Sequence, residues 1–497
     1  MNSNPNPSRL QNYIGGRWVD AEQTGWLPVE NPSTGAELAQ VPLSTAAETD
    51  RAVAAAAAAF PAWSRTAASK RAEYLFRLLE RLRADEDALA RGISEENGKS
   101  LGDAGAEMKR LIENCEVACG MPVLQQGEKL IGASEGIDGE VIRVPLGVFA
   151  MAGPFNFPGM VPFWFLPYAI ASGNTFVVKP SEQTPLTLRR IVQHFHEIGL
   201  PPGVVNLVNG DRTVVEALIA NPTVKGFSLV GSSRTCRIVA EKCARAGKRF
   251  QAMGGAKNHL VVMPDARIDE AVRNMISSCF GCAGQRCMAA SVIVAVGDDT
   301  HRQVVDQLVA ACRRVVVADP LDPKVASESM VVGPVISEKS RRFIHEMIDT
   351  GLKEGATLAV DGRGVAVAGG DRGHFIGPTV LTDVRPGSAV HRTEIFGPVV
   401  AVLKAASFEE AVGIINGGEY GNGASIYTQS GYWARRFKLE VDCGMIGVNV
   451  GIPAPVAHLP FGGMKSSQFS DIKAQGRAVI QFFTEAKIIT ERFWPDA

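Results

Sequence analysis

The sequence lacks the features that mark several classes of protein. Its 497 residues carry 51 basic and 52 acidic side chains, so no net charge draws the whole chain toward nucleic acid or an anionic membrane. The amino terminus has no basic start followed by an apolar run, which argues against a signal peptide and favours a cytoplasmic protein. No internal repeat and no low-complexity linker is present. A small polar or anionic substrate, recognised by local charge, stays open as the partner.

The nine cysteines form neither a disulfide framework nor a metal site. Their number is odd and their spacing irregular, which fits reduced thiols. Cys279 and Cys282 form a lone CxxC, and Cys115 and Cys119 a CxxxC, whereas a structural zinc ion usually needs four ligands. No second CxxC and no nearby HxxxH completes such a set, so we predict no metal.

A long uncharged segment, Val144 to Val178, exceeds the length that a bilayer requires. Five prolines interrupt it, together with glycines and asparagines, and they would leave backbone groups unpaired in lipid. We therefore predict no membrane span. The segment is expected to be a buried, irregular lining of an internal cleft.

The pattern of strands and helices predicts an α/β fold with more than one domain. Residues 45–91 show helical spacing, and short β-rich runs followed by turns and helices come after them. Strands that alternate with helices indicate a parallel sheet covered by helices. A second such series begins near His259, with one helix running from Ile268 through the cysteine stretch, so two α/β domains are expected.

The carboxyl-terminal stretch AVIQFFTEAKIITERFW alternates apolar and polar residues near its end. A terminal strand of this kind is exposed unless it is paired. We therefore expect it to extend a sheet of a neighbouring subunit.

No GxGxxG motif joins a strand to a helix, so the usual dinucleotide fingerprint is missing. Other strand-to-helix turns can hold a nucleotide. Lys179 and Glu182 follow the strand NTFVV and can bond to phosphate and ribose. Ser232 follows FSLVG at the start of a helix, where the dipole stabilises phosphate. Taken alone, each of these residues is better explained by a surface salt bridge or by helix capping.

The stretch FGCAGQRCMAA at 280–290 contains a candidate nucleophile. Small residues precede Cys287 and would let a substrate approach the backbone, and the neighbouring Arg286 favours the thiolate. A buried inert thiol is the alternative. Asn156, within PFNFP in the uncharged segment, is a candidate amide donor toward an oxyanion.

Six motifs occur along the chain in the order that is found in the NAD(P)-dependent aldehyde dehydrogenases. The chain resembles this family over nearly its whole length. The motifs are PFNFP at 154–158, KPSE at 179–182, LVGSS at 229–233, GQRC at 284–287, EIFGPV at 394–399 and PFGG at 460–463. A single such motif would mean little, but six in order are specific.

The resemblance implies a role for each matching residue. It makes Cys287 the nucleophile and Asn156 the side-chain donor to the oxyanion, with Arg110, Arg286 and Phe157 against the substrate. The residues that it places around the dinucleotide are Ala152, Pro154, Phe155, Lys179, Glu182, Gly231, Ser232, Glu394 and Phe396. The carboxylate of Glu182 would repel a 2′-phosphate, which favours NAD over NADP.

The resemblance also implies three parts and an oligomer, either a homodimer or a homotetramer. An NAD-binding domain would take residues 1–127 and 147–256, and a catalytic domain 257–443. Residues 128–146 and 475–497 would form an oligomerisation hairpin and terminal strand.

The departures from the family pattern are informative. Hydrolytic members have a water-activating glutamate in a segment like ELGG, whereas this chain reads Ala252-Met253-Gly254-Gly255. Together with GQRCMA and the uncharged segment, this resembles the CoA-acylating malonate or methylmalonate semialdehyde dehydrogenase branch, with coenzyme A as co-substrate. Cys236 also replaces the last glycine of GSxxxG, beside the expected pyrophosphate.

The missing glutamate penalises water far more than a thiol, because water needs a positioned base and a thiol is intrinsically nucleophilic. A short 3-oxo acid would need a guanidinium for its carboxylate, which Arg110 or Arg286 could supply. Two alternatives stay open. A hydrolytic enzyme could recruit another base, such as Asp471, and a relative without activity could keep the fold for binding alone.

Overall fold

A computed structural model describes residues 8–325 and 328–494. The first seven residues of the predicted NAD-binding region and the last three of the predicted terminal segment lie outside the described residues, as do 326 and 327 of the predicted catalytic region.

The strands of the described residues are numbered in chain order. Those of the first half are β1 (Ser8–Arg9), β2 (Asn12–Ile14), β3 (Arg17–Val19), β4 (Gln23–Glu30), β5 (Glu37–Ser44), β6 (Glu128–Ser134), β7 (Ile137–Pro145), β8 (Val148–Ala152), β9 (Thr175–Lys179), β10 (Val205–Leu207), β11 (Val224–Val230) and β12 (Arg249–Met253). Those of the second half are β13 (Asn258–Val262), β14 (Ala290–Val296), β15 (Val316–Val317), β16 (Val331–Val332), β17 (Thr357–Val360), β18 (Thr379–Thr382), β19 (Val399–Ala405), β20 (Tyr420–Gly421), β21 (Gly423–Tyr427), β22 (Met445–Val448), β23 (Met464–Lys465) and β24 (Thr484–Glu491).

Helices connect and cover these strands. Those before residue 250 are α1 (Ala46–Arg65), α2 (Ala68–Ala84), α3 (Glu86–Asn97), α4 (Leu101–Cys119), α5 (Met121–Leu124), α6 (Met160–Phe163), α7 (Leu166–Ala171), α8 (Leu186–Glu197), α9 (Arg212–Ala220) and α10 (Ser233–Arg245). Those after it are α11 (Ile268–Phe280), α12 (Asp298–Cys312), α13 (Glu338–Lys353), α14 (Ala389–Arg392), α15 (Phe408–Asn416), α16 (Gly431–Glu440) and α17 (Ala478–Phe483), with short 3-10 turns at Gly281–Gly284 and Pro323–Val325.

The first large sheet has the strand order β12-β11-β8-β9-β10-β2-β3. Its first five strands run parallel, and the two amino-terminal strands complete it in antiparallel pairing. Successive strands from β8 extend one way to β10 and then, from β11, the other way to β12. The order therefore reverses between β8 and β11, and in open α/β sheets a ligand binds outside the carboxyl ends of the strands at such a point.

The second large sheet has the order β17-β18-β19-β14-β13-β21-β22, parallel except for the β17–β18 pair. The prediction of two α/β units built on largely parallel sheets is confirmed. The last strand of this sheet, β22, lies just past residue 443, so the second unit extends further than the predicted boundary.

A third, smaller sheet has the order β24-β7-β6. The carboxyl-terminal strand β24 pairs antiparallel with β7 from Thr484 opposite Pro145 to Glu491 opposite Asp138. One edge of the terminal strand is thus satisfied within its own chain, which the sequence did not indicate. Pairing of its other edge with a neighbouring subunit stays a prediction.

The uncharged segment forms β8, β9 and the two short helices between them, and it lies almost wholly in the core. Pro145 ends β7, and the other four prolines fall in the loop after β8 and in the first turns of the two short helices, where a missing N–H is tolerated. In residues 8–325 and 328–494, the structure contains no helix with the length and apolarity needed to span a bilayer.

Candidate active site

Cys287 lies on a cavity of roughly 380 Å3 between α4, α11 and the loops at 157–160 and 451–455. Arg286, Arg110 and Phe157 line the same cavity. The structure thus brings together the predicted nucleophile and the three predicted substrate residues, although they are distributed over nearly 180 positions of the chain.

Residues 281–287, which end in the predicted nucleophile Cys287 and are called the nucleophile turn below, have an uncommon backbone conformation. Helix α11 ends at Phe280 instead of running through the cysteine stretch, and Cys282 and Ala283 both follow with φ of 52°. Residues other than glycine rarely adopt this left-handed region, and each such position costs about 1–3 kcal/mol. Gly284 continues the turn with φ of 70°, and a Cβ there would lie 2.1 Å from the carbonyl oxygen of Gly397. Contacts with the rest of the fold must therefore hold this turn.

Three side chains supply those contacts. Asp103 on α4 accepts a hydrogen bond at 2.9 Å from the backbone N–H of Cys282. On the other side, the amide groups of Asn258 and Asn422 donate to the carbonyl oxygen of Cys287 at 2.8 and 3.0 Å. The backbone of the nucleophile is therefore fixed from both large units of the chain.

Arg286 acts on Cys287 in the predicted direction, because its charge lowers the pKa of the thiol, but the effect is weak. Its guanidinium pairs with Asp103 and donates to the sulfur of Cys282 at 3.2 Å. Burial raises the pKa of Cys287 to about 12, and the negative charge of Glu394 adds to that shift, while Arg286 opposes it only weakly. A pKa this high keeps Cys287, the predicted nucleophile, a protonated thiol at neutral pH.

Asn156 lies between the two loops that meet at the cavity. Its side chain is buried, and its amide nitrogen donates at 2.9 Å to the carbonyl oxygen of Gln285, two residues before the nucleophile. Phe155 packs edge-on against Phe396, with 5.9 Å between the ring centroids. The PFNFP loop is thus docked directly onto the nucleophile turn and the segment around Glu394.

Arg110 is partly exposed at the edge of the cavity, on the same helix as Asp103. Its guanidinium pairs with Glu113, one turn along α4, at 2.6 Å. Helix α4 therefore places the guanidinium of Arg110 at the cavity of Cys287, already paired with the carboxylate of Glu113.

The predicted dinucleotide residues collect at the carboxyl ends of β8, β9 and β11. Ala152 and Lys179 are the last residues of β8 and β9, with Pro154 just beyond, and Gly231 and Ser232 follow β11 directly. The parallel pairing of these three strands places the groups side by side at the reversal of strand order.

Two of these residues also have the ordinary roles that the sequence left open. The Lys179 ammonium pairs with Glu182 at 2.7 Å, and the Ser232 side chain caps α10 by accepting from the N–H of Thr235. This cap uses only one of the N–H groups in the first turn of α10. The space beside Gly231 is open, since a Cβ there would meet nothing within 4 Å. The ammonium of Lys179 and the amino terminus of α10 supply hydrogen-bond donors that fit a dinucleotide, and the open space beside Gly231 leaves room for it.

Glu394 lies between this edge and the nucleophile. One of its oxygens accepts from the backbone N–H of Ala256 at 2.8 Å, and burial raises its pKa to about 7. Phe396 follows it with φ of 55°. The carboxyl group is close enough for its charge to raise the pKa of Cys287.

The positions that depart from the family pattern are accounted for in the structure. Ala252 is fully buried in β12 and does not line the cavity of Cys287. Asp471, the alternative base, is exposed and also absent from the cavity lining. Cys236 is buried and its thiol donates to the carbonyl oxygen of Met253 at 3.1 Å, so it is bonded to the sheet.

Sequence reasoning missed Asp103, Asn258 and Asn422, each of which holds the nucleophile turn. Nothing in the local sequence marks the two asparagines, because they act on a segment that is distant in the chain. Asp103 had a usable signal: it lies seven residues, two helical turns, before Arg110, so both face one side of α4.

Comparison with known proteins identifies the family of this chain. Residues 18–489 match the description of the aldehyde dehydrogenase family. The chain is 45% identical over 484 residues to malonate-semialdehyde dehydrogenase 1 of Geobacillus thermodenitrificans, which covers 97% of this chain and 99% of the relative. It is 46% identical to malonate-semialdehyde dehydrogenase 3 of Geobacillus kaustophilus, with the same coverage.

Solved structures give the same result. A protein from Sinorhizobium meliloti 1021, assigned as a methylmalonate-semialdehyde dehydrogenase and complexed with NAD, superposes with a TM-score of 0.96 at 40% identity, over 99% of both chains. The methylmalonate-semialdehyde dehydrogenase of Oceanimonas doudoroffii superposes with a TM-score of 0.95 at 41% identity, again over 99% of both chains.

Proposed function

This chain belongs to the aldehyde dehydrogenase family, and we propose that it oxidises malonate semialdehyde or its 2-methyl form with NAD and transfers the product to coenzyme A. The observation that carries this proposal is the cavity that joins Cys287 to Arg110 and Arg286. A thiol and two guanidinium groups around one space of roughly 380 Å3 suit a short aldehyde that bears a carboxylate. The names of the relatives support the same substrate class.

The carboxylate of the substrate would bind to the arginines at the cavity wall. Arg110 and Arg286 are each paired with a carboxylate of the protein, Glu113 and Asp103. A guanidinium has five N–H donors, so each can keep its partner and still donate to the substrate. The protein carboxylates then orient the arginines, and the substrate carboxylate completes their hydrogen bonding.

Cys287 would add to the aldehyde carbon once the substrate is bound. The addition converts S–H and C=O into C–S and O–H, and the negative charge that develops on oxygen needs donors. Asn156 supplies one, because its amide nitrogen carries two hydrogens and Gln285 accepts only one of them. The backbone N–H of Cys287 is the second donor that we assign.

NAD, when bound at the carboxyl ends of β8, β9 and β11, supplies a carbon that accepts the hydride from the adduct on Cys287. Lys179 and Glu182 would bind the ribose of its adenosine half, and the first turn of α10 its phosphates. Glu394 and Phe396 would bind its other end beside the nucleophile. Loss of the hydride, together with the hydroxyl proton, which passes to water, leaves an acyl group on the sulfur of Cys287 as a thioester.

The acyl group would lose CO2, because its carboxylate is β to the thioester carbonyl. The electrons left behind form an enolate, which the same donors stabilise, and a proton then adds at carbon. Transfer to the thiol of coenzyme A releases acetyl-CoA or propionyl-CoA. Neither Ala252 nor Asp471 offers a base beside Cys287, and the carboxylates that do line its cavity, Asp103 and Glu107, are already paired with Arg286 and Lys99. This supports a thiol over water as the acceptor.

The experiment that tests this function compares turnover of malonate semialdehyde and NAD with and without coenzyme A. We expect acetyl-CoA and NADH in equal amounts, and a fall of at least about 100-fold in steady turnover when the thiol is left out. Equal rates without coenzyme A, with a free acid as product, would instead assign a hydrolytic enzyme.

The remaining assignments are proposals of the same kind. We propose a reducing compartment, the cytoplasm, in keeping with nine free thiols. The NAD-binding unit would comprise residues 1–127 and 147–256, and the catalytic unit would run from 257 to at least the end of β22. The sheet of β6, β7 and β24, with exposed Leu130, Ile131 and Ile488, would join subunits in a homodimer or homotetramer.

A further inference from the structure

Three charged residues share one face of α4. Asp103, Glu107 and Arg110 stand at positions i, i+4 and i+7, which puts them on a single stripe of a helix. All three line the cavity of Cys287. Only Arg110 has a role in substrate binding, so two acidic residues remain beside a site that should take an anion.

Asp103 is the first of the two and contacts the nucleophile turn. One carboxylate oxygen accepts from the N–H of Cys282 at 2.9 Å, and the other pairs with Arg286. Although burial acts to raise the pKa of Asp103, the charge of Arg286 lowers it below its usual value. The group is thus a carboxylate, and both of its oxygens contact the segment that ends in Cys287.

Glu107 is the second and contacts the loop of Asn156. One oxygen accepts from the backbone N–H groups of Gly159 and Met160, at 2.9 and 3.0 Å. The other pairs at 2.6 Å with Lys99. The carboxylate therefore spans three groups and ties the loop to the body of the helix.

Lys99 extends this contact to the oxyanion donor itself. Its ammonium donates to the carbonyl oxygen of Asn156 and lies 4.1 Å from the ring centroid of Phe157. The side chains of Lys99 and Glu107 are both fully buried. Removing two charges from water offsets most of their attraction, so stability of the fold is a weak reason for such a pair.

We propose that Asp103 and Glu107 are positioning residues. From one face of α4 they set the distance between the nucleophile turn and residues 154–160, the loop that carries Asn156 and is called the oxyanion loop below. Arg110, one turn further, binds the substrate carboxylate in the same frame. A single rigid helix thereby fixes the thiol, the oxyanion donor and the carboxylate receptor relative to one another. The inference rests on the proposed roles of Cys287 and Asn156.

The physical consequence is a loss of rate rather than of binding. Displacing a reacting group by about 1 Å costs on the order of 100-fold in rate. Glu107→Gln keeps an acceptor for Gly159 and Met160 but removes the charge that holds Lys99. We expect the single-turnover rate of NADH formation to fall about tenfold, with KM for the aldehyde within about twofold of its original value.

A double-mutant cycle with Asn156→Ala decides whether Glu107 acts through the oxyanion loop. If it does, Glu107→Gln lowers the rate by less than about twofold once Asn156 is gone. An equal fractional loss in both backgrounds would overturn the proposal. The matched control is Glu116→Gln. Glu116 is also on α4, where it forms a half-exposed pair with Arg83 of α2, and its replacement should leave the rate unchanged.

Asp103→Asn tests the other contact with two aldehydes, malonate semialdehyde and uncharged propanal. Because Asp103 holds the nucleophile turn, we expect a similar loss, about tenfold, for both. A loss confined to malonate semialdehyde would show that Asp103 serves only to orient Arg286 for the carboxylate, and would contradict the proposal for this residue.

Folding is checked first, from the thermal midpoint of each variant. If Glu107→Gln does not fold, the pair is replaced together as Lys99→Met with Glu107→Leu, which leaves no unpaired buried charge. Failure of both to fold would assign the pair to the fold and overturn its positioning role. If Asn156→Ala alone does not lower the rate, the proposed function fails. If Glu107→Gln lowers the rate by the same factor with and without Asn156, only the positioning role of Glu107 fails.

Discussion

The amide nitrogen of Asn156 lies 2.9 Å from the carbonyl oxygen of Gln285, across 129 positions of the chain. This hydrogen bond joins the uncharged PFNFP loop to the turn that carries the nucleophile. It fixes the plane of the amide, so that its second hydrogen is held in place before a substrate arrives. A donor that needs no rearrangement at the moment of reaction is the most effective kind of oxyanion stabiliser.

Replacing Asn156 by alanine should therefore lower the rate of the chemical step. We expect the single-turnover rate of NADH formation to fall about 100- to 1,000-fold, with little change in KM, as for the loss of one oxyanion donor. A variant that binds substrate poorly but reacts at the original rate would show that Asn156 is only a binding residue.

Replacing Arg110 by glutamine should affect only aldehydes that carry a carboxylate. Loss of one charge-assisted hydrogen bond, worth about 1.5–3 kcal/mol, should raise KM for malonate semialdehyde roughly 10- to 100-fold. KM for propanal should not change. Lys109→Gln, at an exposed neighbouring position of α4, is the matched control. Equal losses for both aldehydes would argue against carboxylate binding at Arg110.

The pH dependence of Cys287 should report the charge of Glu394. The pKa of Glu394 is about 7 and that of Cys287 about 12, so the carboxylate forms first as pH rises and then opposes formation of the thiolate. Glu394→Gln removes this opposition. Alkylation of Cys287 by iodoacetamide should be about threefold faster in the variant at pH 8.5 and equal at pH 5.5, where Glu394 is protonated in the original protein.

In the original protein the alkylation rate should rise about tenfold per pH unit between pH 7 and 9, because the thiol is far below its pKa throughout. A plateau near neutral pH would mean a stable thiolate and would contradict the raised pKa. Glu409→Gln, an exposed charge on α15, should behave like the original protein.

Adding a methyl group at Gly284 should distort the nucleophile turn. The added Cβ would meet the carbonyl oxygen of Gly397 at 2.1 Å and would require a left-handed alanine. We expect Gly284→Ala to lower the free energy of unfolding by at least about 2 kcal/mol, measured by denaturant titration. Gly413→Ala, in α15 with nothing within 4 Å, should be neutral or stabilising. Equal stability of the two variants would show that the turn yields easily.

The sequence predicted the members of the site better than the forces that assemble it. Cys287 and Asn156 were identified from motifs, and Arg110 from the family resemblance. The structure places them together because the loops that carry the two motifs meet beside α4. Asp103, Glu107 and Lys99 were missed. Charged residues at i, i+4 and i+7 normally indicate a solvated helix face, and only the tertiary packing of α4 buries this one.

The conformation of Cys282 and Ala283 could not be predicted, because neither residue favours the left-handed region and no local signal marks it. Asp103, far away in sequence, accepts the N–H of Cys282 and stabilises the turn. For the same reason the sequence could not show that the influence of Arg286 on Cys287, although in the predicted direction, is weak. Adjacency in sequence does not give the direction of a side chain, which here points to Asp103 and Cys282.

The most direct test of covalent chemistry at Cys287 is intact-protein mass spectrometry during the reaction. Enzyme mixed with malonate semialdehyde and NAD, without coenzyme A, should gain the mass of one acetyl group, located at Cys287 by peptide mapping and removed when coenzyme A is added. Cys287→Ala should show neither the adduct nor NADH. NADH formation at the normal rate with no adduct on this sulfur, or with Cys287→Ala, would contradict the mechanism.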